Sequence, residues 1–174
     1  MTQLAKSCCH VTKSKDFNQW MTFFGTCFVD FCSGYGYDKL LQVSGRSYRD
    51  FLHGIDNIHE VIRFSYPRLR SPAFLVLKED INGCVLLYQS KRLGFKHYVI
   101  GQLQQIAKRF YSVNIDITVM DETIVESQCN VRFRLDFDNR AYQPKKTARQ
   151  NSGCPQFSSV SGDTFLKVSI LHVL

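Results

Sequence analysis

Apolar residues recur along this chain at three and four residue intervals, then at intervals of two. The first pattern is helical and the second belongs to half-buried strands. Asp16 is placed to cap a helix running to about Cys32, with Phe17, Trp20, Met21, Phe24, Phe28 and Phe31 on its apolar side. Gly34-Tyr35-Gly36 breaks it. A short helix over Asp38–Val43 follows. A third helix starts near Ser47 with the stripe Phe51, Ile55, Ile58 and Ile62, and Pro67 stops it. Strands are expected at Ala73–Leu77 and Cys84–Ser90, with Asn82-Gly83 as the hairpin signal. A helix over about Lys96–Tyr111 carries Val99, Leu103, Ile106 and Phe110. Two more strands, Asn114–Val119 and Cys129–Phe137, alternate apolar and polar positions. Residues 1–14 show no such pattern and read as irregular.

This order, helices, hairpin, helix, two strands, predicts an α+β domain with a mainly antiparallel four-stranded sheet. Residues 140–162 read as a linker rich in Lys, Gln, Ser, Gly and Pro. Residues 163–174 begin a new apolar element. With 44% apolar residues the chain can bury a sizeable core, and no apolar run reaches the length of a membrane span. There is no signal-peptide pattern, so the seven cysteines read as free thiols in a reducing cytoplasm rather than as a disulfide framework. Cys8-Cys9-His10 has no second ligand pair at zinc spacing. The net charge of +7 is scattered and partly in the tail, which argues for a solvated surface and against nucleic acid.

Two sets of residues carry candidate chemistry. His59 lies on or beside the apolar stripe of its helix, whereas His53 shares a polar face with Asn57 and Glu60. A buried His is commonly a core residue with a hydrogen-bond partner, and alternatively a metal ligand through neutral imidazole. Tyr88, Ser90 and Arg92 alternate in a strand and so share a face. They form either an anion clamp with one planar cationic fork or the water-facing side of an edge strand.

Together these motifs resemble the haem–nitric oxide/oxygen-binding (H-NOX) domain of soluble guanylate cyclase β-type subunits, of the atypical invertebrate kind. The resemblance rests on Gly34-Tyr35-Gly36-Tyr37-Asp38, on Ile55-Asp56-Asn57-Ile58-His59, on Tyr66-Pro67 and Ser71-Pro72, and on Tyr88-Gln89-Ser90-Lys91-Arg92. It runs from about Phe23 to Asn139. It implies haem b as cofactor, with His59 as the proximal iron ligand. Tyr88, Ser90 and Arg92 would hold the propionates, and Pro72 would press on the porphyrin. Asp56 would stand near the ligand, or else be an exposed helix carboxylate. Tyr98 would face the distal pocket and donate a hydrogen bond to bound oxygen, or else sit half exposed at the edge of its helix stripe. The diatomic ligand would be oxygen or nitric oxide.

The same resemblance makes residues 1–139 an H-NOX domain lacking its N-terminal helices, and 163–174 the first strand of a PAS-like domain. The parent family makes cyclic GMP from GTP as a pair of subunits. This chain lacks the catalytic residues and is expected to be inactive alone. A haem-free interaction module of a cyclase subunit is the alternative. Neither membrane nor nucleic acid is expected as a partner.

Overall fold

The computed structural model describes residues 1–13, 16–68 and 70–140. Each helix predicted from a stripe is present: α2 (Phe17–Gly34), α3 (Asp38–Val43), α4 (Tyr48–Ser65) and α5 (Lys96–Tyr111). The caps work as expected. Asp16 Oδ1 accepts from the Gln19 N–H at 3.0 Å, and Ser47 Oγ from the Asp50 N–H at 3.2 Å. Residues 1–14 correct the expectation of irregular chain, because α1 spans Thr2–Thr12. Its side chains do not cap it; packing holds it, with Ala5 fully buried against Met21 and Tyr98.

The strands are β1 (Ala73–Asp80), β2 (Gly83–Ser90), β3 (Asp116–Val125) and β4 (Gln128–Asp136). They form one antiparallel sheet in the order β1-β2-β4-β3. β3 starts later and runs farther than its pattern predicted, since an irregularity between Val119 and Asp121 resets its register on β4. In the β1–β2 hairpin the turn falls on Ile81-Asn82. Gly83 stands at φ +139°, where a Cβ would meet Leu135 O at 2.0 Å. The linker expected past Arg140 and the strand expected at 163–174 lie outside the described residues.

One face of the sheet carries the main core. Cys84, Leu86 and Tyr88 of β2 and Val131, Phe133 and Leu135 of β4 are buried there. They meet Phe51, Leu52, Ile55 and Ile58 of α4 and Val99, Ile100 and Leu103 of α5. Each such side chain contributes about 1.5–3 kcal/mol. A second cluster sits between α1, α2 and α5 around Ala5, Met21 and Tyr98, with Trp20, Phe24, Phe28 and Phe95 packed on it.

α2 and α5 join these clusters by touching backbone to backbone. A Cβ on Gly25 would lie 2.0 Å from Tyr98 O, and one on Gly101 2.0 Å from Thr22 O. Ala is favoured over Gly by about 1 kcal/mol inside a helix. Overpacking costs about 1–3 kcal/mol, and here the obstacle is backbone that cannot swing aside. The clash therefore wins. Gly101→Ala is expected to destabilise the protein by about 1–3 kcal/mol in urea unfolding. Gly34→Ala, with nothing within 4 Å of its added methyl, should be neutral or slightly stabilising. Equal midpoints for the two variants would contradict the close crossing.

Candidate functional site

Between α4 on one side and α2, α3 and α5 on the other lies a cleft of about 1000 Å³, counting the part open to solvent. Its walls are mostly apolar: Phe51, Ile55, Ile58 and Ile62 from α4, Phe28 and Val29 from α2, and Val99, Leu103 and Ile106 from α5. Tyr48 Oη donates to Leu103 O at 3.3 Å and Tyr111 Oη to Leu41 O at 2.9 Å, which fixes α4 and α3 to α5.

His59 is on the α4 wall of this cleft. Its side chain is 19% exposed, and its ring stands 5.8 Å from that of Phe74. Nδ1 is buried without a hydrogen bond of normal length; Asp56 Oδ1 is 3.6 Å away. Burial lowers the imidazole pKa, against the pull of the Asp56 carboxylate and the Pro72 carbonyl. The ring is therefore neutral near pH 7, the form that binds a metal. Asp56 is about half exposed, but it is more than a solvated carboxylate, since Oδ1 also accepts from the Phe74 N–H at 3.1 Å. It thereby ties the His59 helix to β1. His53 is exposed as expected, yet its Nε2 contacts Glu79 Oε1 at 3.0 Å.

The other predicted site residues fall into two places. Tyr88 and Ser90 are buried on the inner face of β2, at 2% and 8% exposure. β2 lies between β1 and β4, so the edge-strand explanation of this triplet does not hold. Arg92 lies beyond the end of β2, with its side chain exposed and its backbone N–H donating to Ser90 Oγ at 3.0 Å. Burial raises the Tyr88 pKa, while a hydrogen bond with Ser90 and the charge of Arg92 oppose that rise. The three residues thus share one neighbourhood. None of them lines the cleft, nor does Pro72. Tyr88 is one ring away, 5.3 Å from Phe74, which does line it.

Tyr98 is 3% exposed, which excludes the half-exposed alternative. It belongs to the second cluster, its ring 6.0 Å from Phe28 and 5.6 Å from Phe95. Its hydroxyl is buried without a partner. The polar groups on the cleft surface that the sequence pattern missed are Cys32, Tyr37, Tyr66 and Gln102. Burial pushes the Cys32 thiol up to about 12, so it stays protonated. Tyr37 is also raised to about 12, by burial and by its hydrogen bond to Tyr66. An apolar cleft with one neutral imidazole suits a largely apolar ligand that presents a metal centre to His59. Among the described residues no group of three His, Cys, Asp or Glu side chains gathers to hold a bare ion.

The sequence matches the family described as Haem-NO-binding over residues 1–119. This chain belongs to the Haem-NO-binding family. It is 40% identical over 151 residues to soluble guanylate cyclase 89Da of Drosophila melanogaster, covering 76% of this chain and 22% of that protein. To soluble guanylate cyclase gcy-33 of Caenorhabditis elegans it is 35% identical over 165 residues, covering 94% of this chain and 18% of that protein. The chain thus spans about a fifth of the length of these relatives. Among solved structures, an oxygen-binding H-NOX domain related to soluble guanylate cyclases aligns with TM-score 0.63 at 18% identity, over 78% of this chain and 70% of that one. An unliganded Fe(II) H-NOX mutant from K. algicida aligns with TM-score 0.64 at 23% identity, with the same coverage. At these identities the likeness is one of fold, and the α+β architecture of this Haem-NO-binding family member is that of the H-NOX structures. None of its described helices is long and apolar enough to cross a membrane.

An unpartnered buried hydroxyl costs about 1–3 kcal/mol of lost hydration. Tyr98→Phe removes that cost and keeps the ring. The variant is expected to unfold at the same urea concentration as the parent or a higher one. A loss of more than about 1 kcal/mol would mean that the hydroxyl has a partner in solution.

Proposed function

We propose that residues 1–139 form the haem-based gas-sensing domain of a soluble guanylate cyclase subunit. Its cofactor in this reading is haem b, and its ligand oxygen or nitric oxide. The observation that carries the reading is His59, a desolvated neutral imidazole on the wall of an apolar cleft. Membership of the Haem-NO-binding family supports it. Haem, when bound, supplies an iron that takes up a diatomic gas.

The chain's own residues do the rest. His59 would hold the iron, and the apolar walls of the cleft would keep water from it. Asp56, fixed by the Phe74 N–H, would orient the His59 ring through Nδ1 on closing the 3.6 Å gap, leaving Nε2 for the iron. Pro72 would pack against the porphyrin. Tyr88, Ser90 and Arg92 hold the acidic side groups, with Ser90 buried and Arg92 at the solvent edge. In the full-length parent, a cytoplasmic pair of subunits, a shift of α4 would pass to domains that make cyclic GMP from GTP.

A second reading, a haem-free interaction module, is favoured by one observation: none of Tyr88, Ser90 and Arg92 lines the cleft. Titration of the chain with haemin separates the two. The sensor reading expects one equivalent taken up with a Soret band. His59→Gly is expected to abolish that uptake or make it depend on added imidazole. An identical ferrous spectrum in His59→Gly without imidazole would refute the assignment.

The clamp is tested by haem loss to an acceptor globin. A charge-assisted, bidentate Arg contact is worth about 1.5–3 kcal/mol, so Arg92→Ala should release haem roughly 10- to 100-fold faster. Arg92→Lys should recover only part, since the planar fork is gone. Equal off-rates in all three proteins would exclude Arg92 as an anchor.

A further inference from the structure

Tyr88 and Ser90 stand where β2 stops, and a charged pair stands there with them. On the inner face of the sheet Tyr88 of β2, Val131 of β4 and Glu122 of β3 pair in one row, and Ser90, Cys129 and Ile124 in the next. With strands about 4.8 Å apart, the Glu122 backbone is about 10 Å from that of Tyr88. Cys129 Sγ donates to Glu122 Oε1 at 3.4 Å, which holds the carboxylate towards the Ser90 row. Lys96, the first residue of α5, donates from Nζ to Glu122 Oε2 at 2.6 Å. That bond lowers the Glu122 pKa against the opposing effect of burial, so the carboxylate is charged near pH 7.

Arg92 precedes Lys96 by four residues. Its side chain is exposed, and its charge opposes the pKa rise that burial causes at Tyr88 and at Tyr98. The guanidinium is therefore near both hydroxyls, and it makes no ion pair among the described residues. Two cations thus border Tyr88 and Ser90, and only Lys96 has a carboxylate. His97 adds no third charge near pH 7, because burial and the charge of Lys96 lower its pKa. α5 opens here without a side-chain cap and without an acidic residue in its first turn, which adds to the preference for an anion. Haem carries two acidic side groups. Arg92 can meet one of them, and Glu122 stands in the place of the other.

We propose that Lys96 is a second cation of the anion site, and that Glu122 is a resident carboxylate that holds Lys96 until an acidic side group of the ligand displaces it. The inference rests on the haem-sensor reading above. The exchange keeps Lys96 paired throughout. Glu122, whose side chain is 30% exposed, as is that of Lys96, returns to water at modest cost. Glu122 therefore weakens retention of the cofactor by competing for Lys96, whereas Lys96 strengthens it.

The test uses the full chain loaded with haemin or with haemin dimethyl ester, whose acidic side groups are masked. Release to an acceptor globin is compared for wild type, Lys96→Met and Glu122→Gln. With haemin, Lys96→Met is expected to release about three- to tenfold faster, the size of one partly screened charged contact. Glu122→Gln is expected to release more slowly by a similar factor, although it breaks the same bond. With the ester, both variants should match wild type. Opposite signs separate the proposal from a merely structural tie, which predicts faster release in both. Faster release in both variants, no change in either, or an equal response with the ester overturns the assignment while the haem reading stands. Failure of the wild-type chain to take up haemin, or uptake indifferent to His59→Gly, overturns the haem reading and this inference with it.

Discussion

The contact between α2 and α5 is the constraint on which the rest of the structure depends. Two helices normally keep their axes apart by the width of the side chains between them. Here Gly25 and Gly101 remove those side chains, so each helix rests on carbonyl oxygens of the other. Two consequences follow. The second aromatic cluster forms on one side of the crossing, around Met21 and Tyr98. On the other side Phe28, Val29 and Cys32 of α2 line up with Val99, Gln102, Leu103 and Ile106 of α5 as a continuous wall. The cleft exists because this rigid wall stands opposite α4, which is held by the sheet instead.

A cleft of this kind is a local loss of stability. Cores are normally packed with few voids and with polar atoms satisfied. This one leaves apolar surface on both walls uncovered, while His59 Nδ1 and, in the neighbouring cluster, Tyr98 Oη lack partners. The main core offsets that loss through the interlocked β2 and β4 side chains and the buried face of α4. The unsatisfied groups also do not mean the same thing. His59 is on the cleft surface, with Nδ1 beside Asp56 at 3.6 Å. Tyr98 lies in a cluster already filled by Phe28, Phe95 and Met21.

Much of this was legible in the sequence for a physical reason. Helices α2, α4 and α5 have long stripes at the 3.6-residue period, and α4 also has a Ser cap and a Pro stop, so local and tertiary preferences agree. The shared face of Tyr88 and Ser90 followed from the two-residue period of β2, but that it turns inward follows only from the strand order, which puts β2 between β1 and β4. What escaped depended on contacts distant in sequence. α1 lacks a side-chain cap and buries a single residue, so its helix exists only because α2 is there to receive Ala5. A mid-helix glycine such as Gly25 or Gly101 costs about 1 kcal/mol against Ala, and that cost was the signal of a close approach. Arg92 was read as continuing the strand, but β2 ends at Ser90 and Arg92 leaves the sheet. Gln102 went unnoticed because amphipathic stripes are read from apolar residues, and a polar residue at the border of a stripe looks like a surface position until the facing wall is known.

The manner in which α4 is fastened bears on how a change at His59 can travel. Its first half is tied at several points. Tyr48 holds Leu103 O, Arg49 Nη2 donates to Glu79 Oε2 at 2.8 Å, and His53 meets the other oxygen of that carboxylate. Burial would raise the Glu79 pKa, but the hydrogen bonds from Arg49 and His53 outweigh it and keep the carboxylate charged. Asp56 adds the tie to the Phe74 N–H. After His59 the ties to the sheet give way to surface contacts: Glu60 pairs with Arg63, Val61 is exposed, and Phe64 is 91% exposed. His59 stands at the boundary between the two regimes. A pull on its ring meets a stiff, sheet-bound segment on one side and a lightly held last turn on the other. At that end of α4 Ile62 alone still packs on the main core, and Phe64 presents a bare aromatic surface.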